Sequence, residues 1–227
     1  MSDQACLALM LDAPLQSWGI SSRFQRRTTA LHPTRSGITG MICAALGLSK
    51  GSDGEAAWLA RLERVRLTVL TLRRQPDGAR EPLDIRRLED FHTVKDTRSA
   101  ENKLKKDAVI THRHYLLDAR FGVILEGPRQ TLLEVADALR NPRWGIWFGR
   151  KNCIPAAPIV RGSVVANQQE ALEALGLAGR KLDDFARVEE VASFAEGTDT
   201  LMDTPVNFKT REFKPRRIQQ VPETTEG

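Results

Sequence analysis

The alternation of apolar and polar positions along the chain predicts a mixed α+β fold. Residues 6–11 are a continuous apolar run, which is typical of a buried strand, and residues 65–72 alternate as a half-buried strand does. Between them, Ser36 is placed to cap a helix that Gly47 ends. A shorter helix is expected over residues 56–64.

Strand and helix patterns also occur in the second part of the chain. Residues 114–125 are predicted to form a strand, residues 132–139 show helical spacing, and Asn141-Pro142 stops that helix. The order strand, helix, strand, strand, helix is close to that of a ferredoxin-like unit, in which helices cover one face of an antiparallel sheet. We therefore expect an α+β, ferredoxin-like fold with helices on one face, and a free second face that suits RNA.

The polar segments divide the chain further. Residues 1–160 are predicted to form the main domain, residues 161–220 a small β-rich C-terminal extension of it, and residues 221–227 a disordered tail. Residues 80–112 have few apolar anchors, so they should protrude as a hairpin-like insertion, which we call the thumb. The cations of the thumb are Lys95, Arg98, Lys103, Lys105 and Lys106.

The charge balance favours a polyanionic partner. The 227 residues include 34 Lys and Arg against 29 Asp and Glu, a net charge of +5, and such an excess suits nucleic acid without proving it. The basic residues cluster at 23–35, 73–120, 140–161 and 209–217. For any single cluster, a solvated surface is an equally good interpretation.

Several other classes of protein lack their sequence signals here. The cysteines Cys6, Cys43 and Cys153 are far apart, so we expect reduced thiols and no metal site. The acidic pair Glu189-Glu190 has no nearby His and lies in a polar stretch expected to be exposed. Apolar runs fall short of the roughly 20 residues that span a bilayer, and no Walker A or dinucleotide-binding motif occurs. We expect a cytoplasmic protein without a cofactor and without membrane contact.

Residues 143–151 (Arg-Trp-Gly-Ile-Trp-Phe-Gly-Arg-Lys) are the most informative stretch. Bases stack on aromatic faces, glycine lets a backbone approach phosphate, and Arg or Lys neutralises phosphate. The pattern therefore predicts RNA contacts at Phe148, Gly149, Arg150 and Lys151. For the aromatic side chains Trp144, Trp147 and Phe148, the alternative is a place in the core.

A group of three residues keeps a catalytic alternative open. His112, His114 and Tyr115 resemble the parts of a metal-independent ribonuclease, although on a strand the two histidines face one side and Tyr115 the other. Lys105, Lys106 or Arg113 could supply a cation for the phosphate. The same residue types are expected at a passive RNA contact. We therefore predict no catalytic residue, and an RNA-binding role for Arg113.

Six short stretches, in a fixed order between residues 6 and 160, together carry a resemblance to a known family. They are Pro-Leu-Gln-Ser-Trp-Gly at 14–19, Arg23-Phe24, Pro-Thr-Arg-Ser-Gly at 33–37, Asp-Phe-His-Thr-Val at 90–94, His-Tyr-Leu-Leu-Asp-Ala at 114–119 and Phe-Gly-Arg-Lys-Asn-Cys at 148–153. This set resembles the CasD family, the Cascade subunit of type I-E CRISPR systems. That family belongs to the RAMP group of ferredoxin-like, RRM-like RNA binders.

The resemblance implies a function in antiviral defence. It implies a non-catalytic subunit that grips the 5′ handle of the guide RNA (crRNA), beside a backbone subunit and a large subunit, with the thumb on the RNA next to the backbone subunit. At matching positions it adds Trp18, Arg35, Ser36, His92 and Tyr115 to the RNA-binding set. Asn152 departs from the serine that is more usual in the loop.

Two alternatives stay open beside this interpretation. A type I-C relative in the same group cleaves repeat RNA itself, so an endoribonuclease using His112, His114 and Tyr115 is the alternative function. The lysines of the thumb would also suit target DNA, because the phosphates of a duplex attract them as readily as those of RNA.

Overall fold

The computed structural model describes residues 3–20, 25–99, 101–104 and 107–223. Its strands are β1 (Gln4–Asp12), β2 (Leu15–Gln16), β3 (Arg26–Arg27), β4 (Arg66–Thr71), β5 (Arg86–Val94), β6 (Val109–Leu117), β7 (Arg120–Pro128), β8 (Val160–Val165), β9 (Arg187–Glu190), β10 (Asp199–Asn207) and β11 (Glu212–Val221). Its helices are α1 (Arg35–Leu46), α2 (Asp53–Glu63), α3 (Arg129–Arg140) and α4 (Gln168–Ala174), with a 3-10 turn at Leu182–Asp184.

Seven strands form one large antiparallel sheet, in the order β10-β11-β9-β4-β7-β1-β8. The predicted α+β class, with a large antiparallel sheet, is therefore confirmed. A smaller sheet has the order β2-β6-β3, with β5 paired to β6. In it the two-residue strand β3 runs parallel to β6, with Arg27 beside Arg113.

The large sheet is covered on both faces, and the prediction of helices on one face only is wrong. Leu7 and Leu9 of β1 belong to the larger core, together with residues of α1 and α3, such as Ile42 and Leu132. The alternate residues of β1, such as Ala8, pack in a second core with residues of α4. A strand with no polar position in its centre is what burial on two faces requires, so this part of the sheet offers RNA no free face.

Helix α1 begins and ends on local signals. The side chain of Thr34, rather than that of Ser36, caps it by accepting a hydrogen bond from the Gly37 amide at 3.2 Å. Gly47 ends it in a left-handed conformation with φ of 71°, as predicted, since glycine adopts that conformation without steric cost. The N-terminus of α1 therefore lies directly after the loop that contains Trp18.

One predicted strand is two strands in the structure. The stretch 114–125 contains the end of β6, a turn at Asp118 with φ of 49°, and the start of β7. Strand β6 pairs with β5 from Arg86↔Leu117 to Val94↔Val109. The polar segment thus contains most of a long antiparallel hairpin, β5–β6, which belongs to the smaller sheet and not to the large one.

The C-terminal strands extend the large sheet. Strand β9 pairs with β4 through Thr68↔Glu189 and Val69↔Val188, and β11 pairs in turn with β9. Strand β11 extends to Val221, the first residue of the predicted tail, and residues 224–227 lie outside the described residues. The three cysteines are buried free thiols. Among the described residues, the helices are too short and too polar to cross a bilayer.

Candidate nucleic-acid interface

A groove of about 930 Å³ lies at the N-terminus of α1. Four segments line it: the loop around Trp18 with residues 27–28, the start of α1, residues 149–150, and the turn between β10 and β11. Among the residues that the structure describes, its charged lining residues are all arginines, namely Arg27, Arg150 and Arg211. Ser17, Thr34 and Ser36 add hydroxyl groups. A wall of this composition suits a polyanion.

Gly149 allows two of these segments to touch. It has φ of 96°, and a Cβ at this position would overlap the carbonyl oxygen of Ser17. The amide of Ser17 donates to the carbonyl of Phe148 at 3.0 Å. Only glycine combines this backbone conformation with this contact, so Gly149 fixes one edge of the groove.

Trp18 is an anchor of the fold and not an exposed platform. Its amide donates to Thr29 Oγ1 at 2.8 Å, and its indole Nε1 donates to Gln16 Oε1 at 3.0 Å. A Cβ on Gly37 would lie 2.7 Å from the Trp18 ring, so the start of α1 packs on the indole face. The ring is 1% exposed.

Phe148 and Tyr115 are also buried. Phe148 stacks on Trp18 with ring centroids 5.9 Å apart, and both Phe148 and Tyr115 belong to the larger core. The hydroxyl of Tyr115 accepts a hydrogen bond from Asn152 Nδ2 at 3.2 Å. Trp18, Tyr115 and Phe148 therefore present no open ring face to a base in this structure. Their rings pack in the core beneath the surface of the groove.

Arg150 links three parts of the site. Its Nη1 donates to the carbonyl of His114 at 3.1 Å, its Nη2 donates to the carbonyl of Arg27 at 2.8 Å, and its guanidinium lies 4.5 Å from the Tyr115 ring centroid. Two backbone carbonyls thus take up much of its donor capacity. Arg150 holds β3 and β6 against the loop, and it also lines the groove.

Arg35 lies in a buried ionic cluster and does not reach the groove surface. Its Nη1 donates to both carboxylate oxygens of Glu190 at 2.5 and 2.6 Å, and its amide donates to Asp203 Oδ2 at 2.8 Å. Its Nη2 donates to the carbonyls of Leu62 and Val65. With its donors occupied at 7% exposure, Arg35 cannot make the RNA contact predicted for it without leaving this cluster.

Arg216 completes that cluster. It donates to Asp203 from Nε at 2.6 Å and from Nη2 at 3.0 Å, and to Glu190 from Nη1 at 3.0 Å. Burial alone would lower the pKa of Arg216, but the hydrogen bonds and charges of Asp203 and Glu190 outweigh it and raise that pKa. Glu190, expected to be exposed, is therefore part of the interior, where two carboxylates compensate two guanidinium groups.

The tryptophans of residues 143–151 are the exposed aromatic side chains of that stretch. Trp144 is 46% and Trp147 39% exposed, whereas Phe148 is buried. Lys151 Nζ lies 5.9 Å from the Trp147 ring centroid, within reach of a cation–π contact. The aromatic residues available for stacking are thus the two that the predicted set omitted.

His92 and Arg113 lie on one face of the β5–β6 hairpin. The register pairs His92 with Thr111 and Asp90 with Arg113, which puts these side chains on one side. His92 Nδ1 is 3.7 Å from Asp90 Oδ2, and Arg113 Nε donates to Thr111 Oγ1 at 3.1 Å. Because β3 pairs with β6 at Arg113, this face continues into the groove at Arg27.

The described cations of the predicted thumb lie beyond the paired part of the hairpin. Arg98 forms an isolated bridge with Leu104 and donates to the Asn102 carbonyl, and Lys95 and Lys103 are exposed. Lys105 and Lys106 lie outside the described residues, as do Arg23 and Phe24.

The alternative catalytic group is not brought together. His112 Nδ1 is 2.9 Å and His114 Nε2 is 3.6 Å from Glu89 Oε1, on the opposite face of the hairpin from Tyr115. The hydrogen bond from His112 is the largest of the effects that lower the pKa of Glu89. General acid–base cleavage needs its groups around one phosphodiester. Here Tyr115 lies on one face of β6 and both histidines lie on the other.

Several lining residues were absent from the predicted set. Among them are Arg27 and Thr28, which follow the Trp18 loop, and Phe208, Arg211 and Phe213 of the β10–β11 turn. Arg27 and Arg211 lie within the basic clusters 23–35 and 209–217, so these clusters were the sequence signal that could have indicated them. What the sequence did not contain is the docking of the turn on α1, which places Arg211 in the groove.

Comparison with known proteins gives relatives that span most of the chain. The Cascade subunit CasD of the CRISPR system of Escherichia coli is 30% identical over 213 residues, which cover 91% of this chain and 93% of that protein. A chain of a CRISPR RNA-guided surveillance complex matches with a TM-score of 0.75 and 30% identity, covering 96% of this chain and 90% of its own. A crystal structure of a Cas protein matches with a TM-score of 0.64 and 31% identity, over 96% and 98% of the two chains.

A family match accounts for the same extent of the chain. The family described as CRISPR-associated protein (Cas_Cas5) matches residues 6–223, which include all four walls of the groove. This chain therefore belongs to the CRISPR-associated protein (Cas_Cas5) family.

Proposed function

We propose that this protein is a non-catalytic subunit of a type I-E Cascade surveillance complex that binds the 5′ handle of the guide RNA. The observation that carries the proposal is the groove at the N-terminus of α1, whose charged lining residues within the described part of the chain are all arginines. The relative that is 30% identical over nearly its whole length is a Cascade subunit. Positive grooves that follow a nucleic-acid backbone are the usual means of holding single strands.

The finer description of the fold supports this proposal. Strands β1, β4, β7 and β8 have the sheet order β4-β7-β1-β8, which is the order of a ferredoxin-like unit with α1 and α3 as its helices. We interpret the β5–β6 hairpin as the thumb. Phe91 on this hairpin is 61% exposed, and such an apolar side chain suits contact with the neighbouring backbone subunit.

The absence of catalysis is the interpretation that the geometry favours. Tyr115 is buried and hydrogen-bonded to Asn152, and both histidines contact Glu89. An endoribonuclease would need a rearrangement of β6 to bring the three groups to one phosphate.

Co-expression with a CRISPR array tests the proposal. When the tagged chain is produced with its neighbouring genes and an array, we expect array RNA with one fixed 5′ end to co-purify in a large assembly. Sequencing the 5′ ends of the bound RNA measures this.

The same experiment separates binding from cleavage. If the fixed 5′ end forms when this chain is the only CRISPR protein present, cleavage by this chain is indicated. If the purified protein also cuts a repeat transcript in EDTA and His114→Ala abolishes that cleavage, the protein is the nuclease. If no array RNA co-purifies in either case, the proposed function is wrong.

Replacing Trp147 tests the exposed part of the loop. Trp147→Ala should weaken binding of handle RNA by about fivefold to 150-fold, because stacking of one base on an aromatic ring contributes about 1–3 kcal/mol. Fluorescence anisotropy with a labelled RNA measures the loss. Trp58→Ala is the matched control, since Trp58 also lies beneath a cation, Arg61 at 3.9 Å, but on α2. Equal losses in the two variants would exclude a direct contact by Trp147.

A further inference from the structure

The turn between β10 and β11 is a wall of the groove that lies outside the predicted RNA-binding residues. Phe208, Arg211 and Phe213 all line the groove. Their segment follows the N-terminus of α1 by more than 170 residues in the sequence. In the structure, the two segments line the same groove. The C-terminal strands thus complete the site as well as the sheet.

This turn is held in a fixed shape. Asn207 Oδ1 accepts hydrogen bonds from the amides of Lys209 and Thr210 at 2.8 and 3.1 Å, the local bonding by which Asn stabilises turns. Phe208 packs on Phe213 with ring centroids 6.4 Å apart, and its ring lies 3.5 Å from where a Cβ of Gly40 in α1 would be. The position of the turn relative to α1 is therefore set before any ligand binds.

The buried ionic cluster adds to this fixation. Asp203 lies on β10 and Arg216 on β11, and the two side chains are hydrogen-bonded to each other. Asp203 also accepts a hydrogen bond from the amide of Arg35 at the start of α1. The hairpin and the helix N-terminus are thus joined by charge-assisted hydrogen bonds, which are stronger than neutral ones.

Arg211 is the cation of this turn that lines the groove. Its backbone has φ of 58°, a conformation that costs a residue with a Cβ about 1–2 kcal/mol. Its side chain is exposed and makes no hydrogen bond or ion pair with any residue in the described part of the chain, whereas Arg35, Arg150 and Arg216 are all hydrogen-bonded. A strained backbone that presents an unpaired guanidinium to a groove is a signal of ligand binding.

We propose that the β10–β11 turn is a second RNA-contacting element, in which Arg211 pairs with a backbone phosphate of the RNA in the groove. This inference rests on the proposed function. Phosphate is the expected partner because the planar guanidinium matches its oxygens with two parallel hydrogen bonds. The hydroxyl-bearing Thr34 and Ser36 line the same groove and suit phosphate or ribose oxygens.

Arg211→Asn tests the contact with the least disturbance of the backbone. Asparagine tolerates positive φ, so the turn should keep its shape while the charge is lost. With an RNA oligonucleotide that carries the 5′ end of the co-purified guide RNA, we expect binding about fivefold to tenfold weaker near 0.1 M salt. The slope of log K against log salt should become shallower by about 0.7, the value for one phosphate contact on a single strand. Arg211→Lys should restore the salt slope, because it keeps the charge, but only part of the affinity, because an ammonium cannot form the two parallel hydrogen bonds of a guanidinium.

Lys209→Asn is the matched control on the same turn. It removes the same formal charge two residues away, but the side chain of Lys209 packs over Gly51 and does not line the groove. We expect its salt slope to equal that of the unmodified protein. Circular dichroism and thermal unfolding of both variants should show an unchanged fold.

The outcomes separate this inference from the proposed function. If Arg211→Asn behaves like Lys209→Asn while the unmodified protein binds the RNA and Trp147→Ala weakens it, the role of Arg211 is overturned and the proposed function stands. If the unmodified protein binds no array RNA, alone or in its assembly, the proposed function fails and the inference fails with it.

Discussion

Gly149→Ala should lower the free energy of unfolding by about 3–5 kcal/mol, the sum of a left-handed backbone penalty, a lost hydrogen bond and forced repacking. A Cβ at this position overlaps the Ser17 carbonyl, so residues 148–150 must move away from the Trp18 loop. That movement breaks the hydrogen bond from Ser17 to Phe148 and displaces Arg150 from β3 and β6. Urea unfolding measures the loss, and RNA retention should fall with it.

Gly78→Ala isolates the backbone component of this effect. Gly78 also has positive φ, 75°, but within the described part of the chain no heavy atom lies within 4 Å of its added Cβ. We expect a cost of about 1 kcal/mol there, because only the conformational penalty remains. Equal costs for the two variants would show that the close approach of Gly149 to Ser17 contributes nothing.

Glu190→Gln should destabilise the protein by about 3–5 kcal/mol, the usual cost of removing one partner from a buried ion pair. Glu190 accepts hydrogen bonds from Arg35, Arg216 and the Leu67 amide, and its replacement leaves two buried guanidinium groups with the single carboxylate of Asp203. Chemical denaturation measures the change. RNA affinity should fall as well, because the cluster fixes the β10–β11 hairpin against α1.

Glu134→Gln provides the exposed counterpart. Glu134 also accepts two hydrogen bonds from one guanidinium, that of Arg61, at 3.0 and 2.8 Å, but both side chains are more than one third exposed. An exposed pair of this kind contributes about 0.2–1 kcal/mol. If the two Gln variants cost the same, burial is not what makes the Glu190 cluster stabilising.

Local sequence signals predicted the elements well and their environment less well. The apolar run of β1 and the end of α1 at Gly47 are properties of a few adjacent residues, and both are confirmed. The same run also contained the information that β1 is buried on two faces, since it has no polar alternation. The expectation of a one-sided sheet failed because α4, which covers the second face beside β1, lies in the part of the chain predicted as a β-rich extension.

The positions of the charged side chains were harder to predict, because the two members of an ion pair can be far apart in the sequence and meet only in the folded protein. Glu190 was assigned to an exposed stretch, yet its partner Arg35 lies 155 positions away in the sequence. Arg35 was assigned to the RNA through the resemblance to the CasD family, and its basic cluster contains no local signal that its partner is Glu190. Aromatic residues followed the same rule, with Phe148 buried and Trp147 exposed although the two are adjacent.

The walls of the groove come from distant parts of the chain, and this has a consequence for protein synthesis. Chains fold from the N-terminus as they leave the ribosome, so the Trp18 loop and α1 emerge early, whereas Arg211 emerges near the end. The last wall cannot form until β10 and β11 have emerged from the ribosome. A nascent or truncated chain therefore holds an incomplete groove, and under the proposed function such unfinished chains should not compete with complete ones for guide RNA.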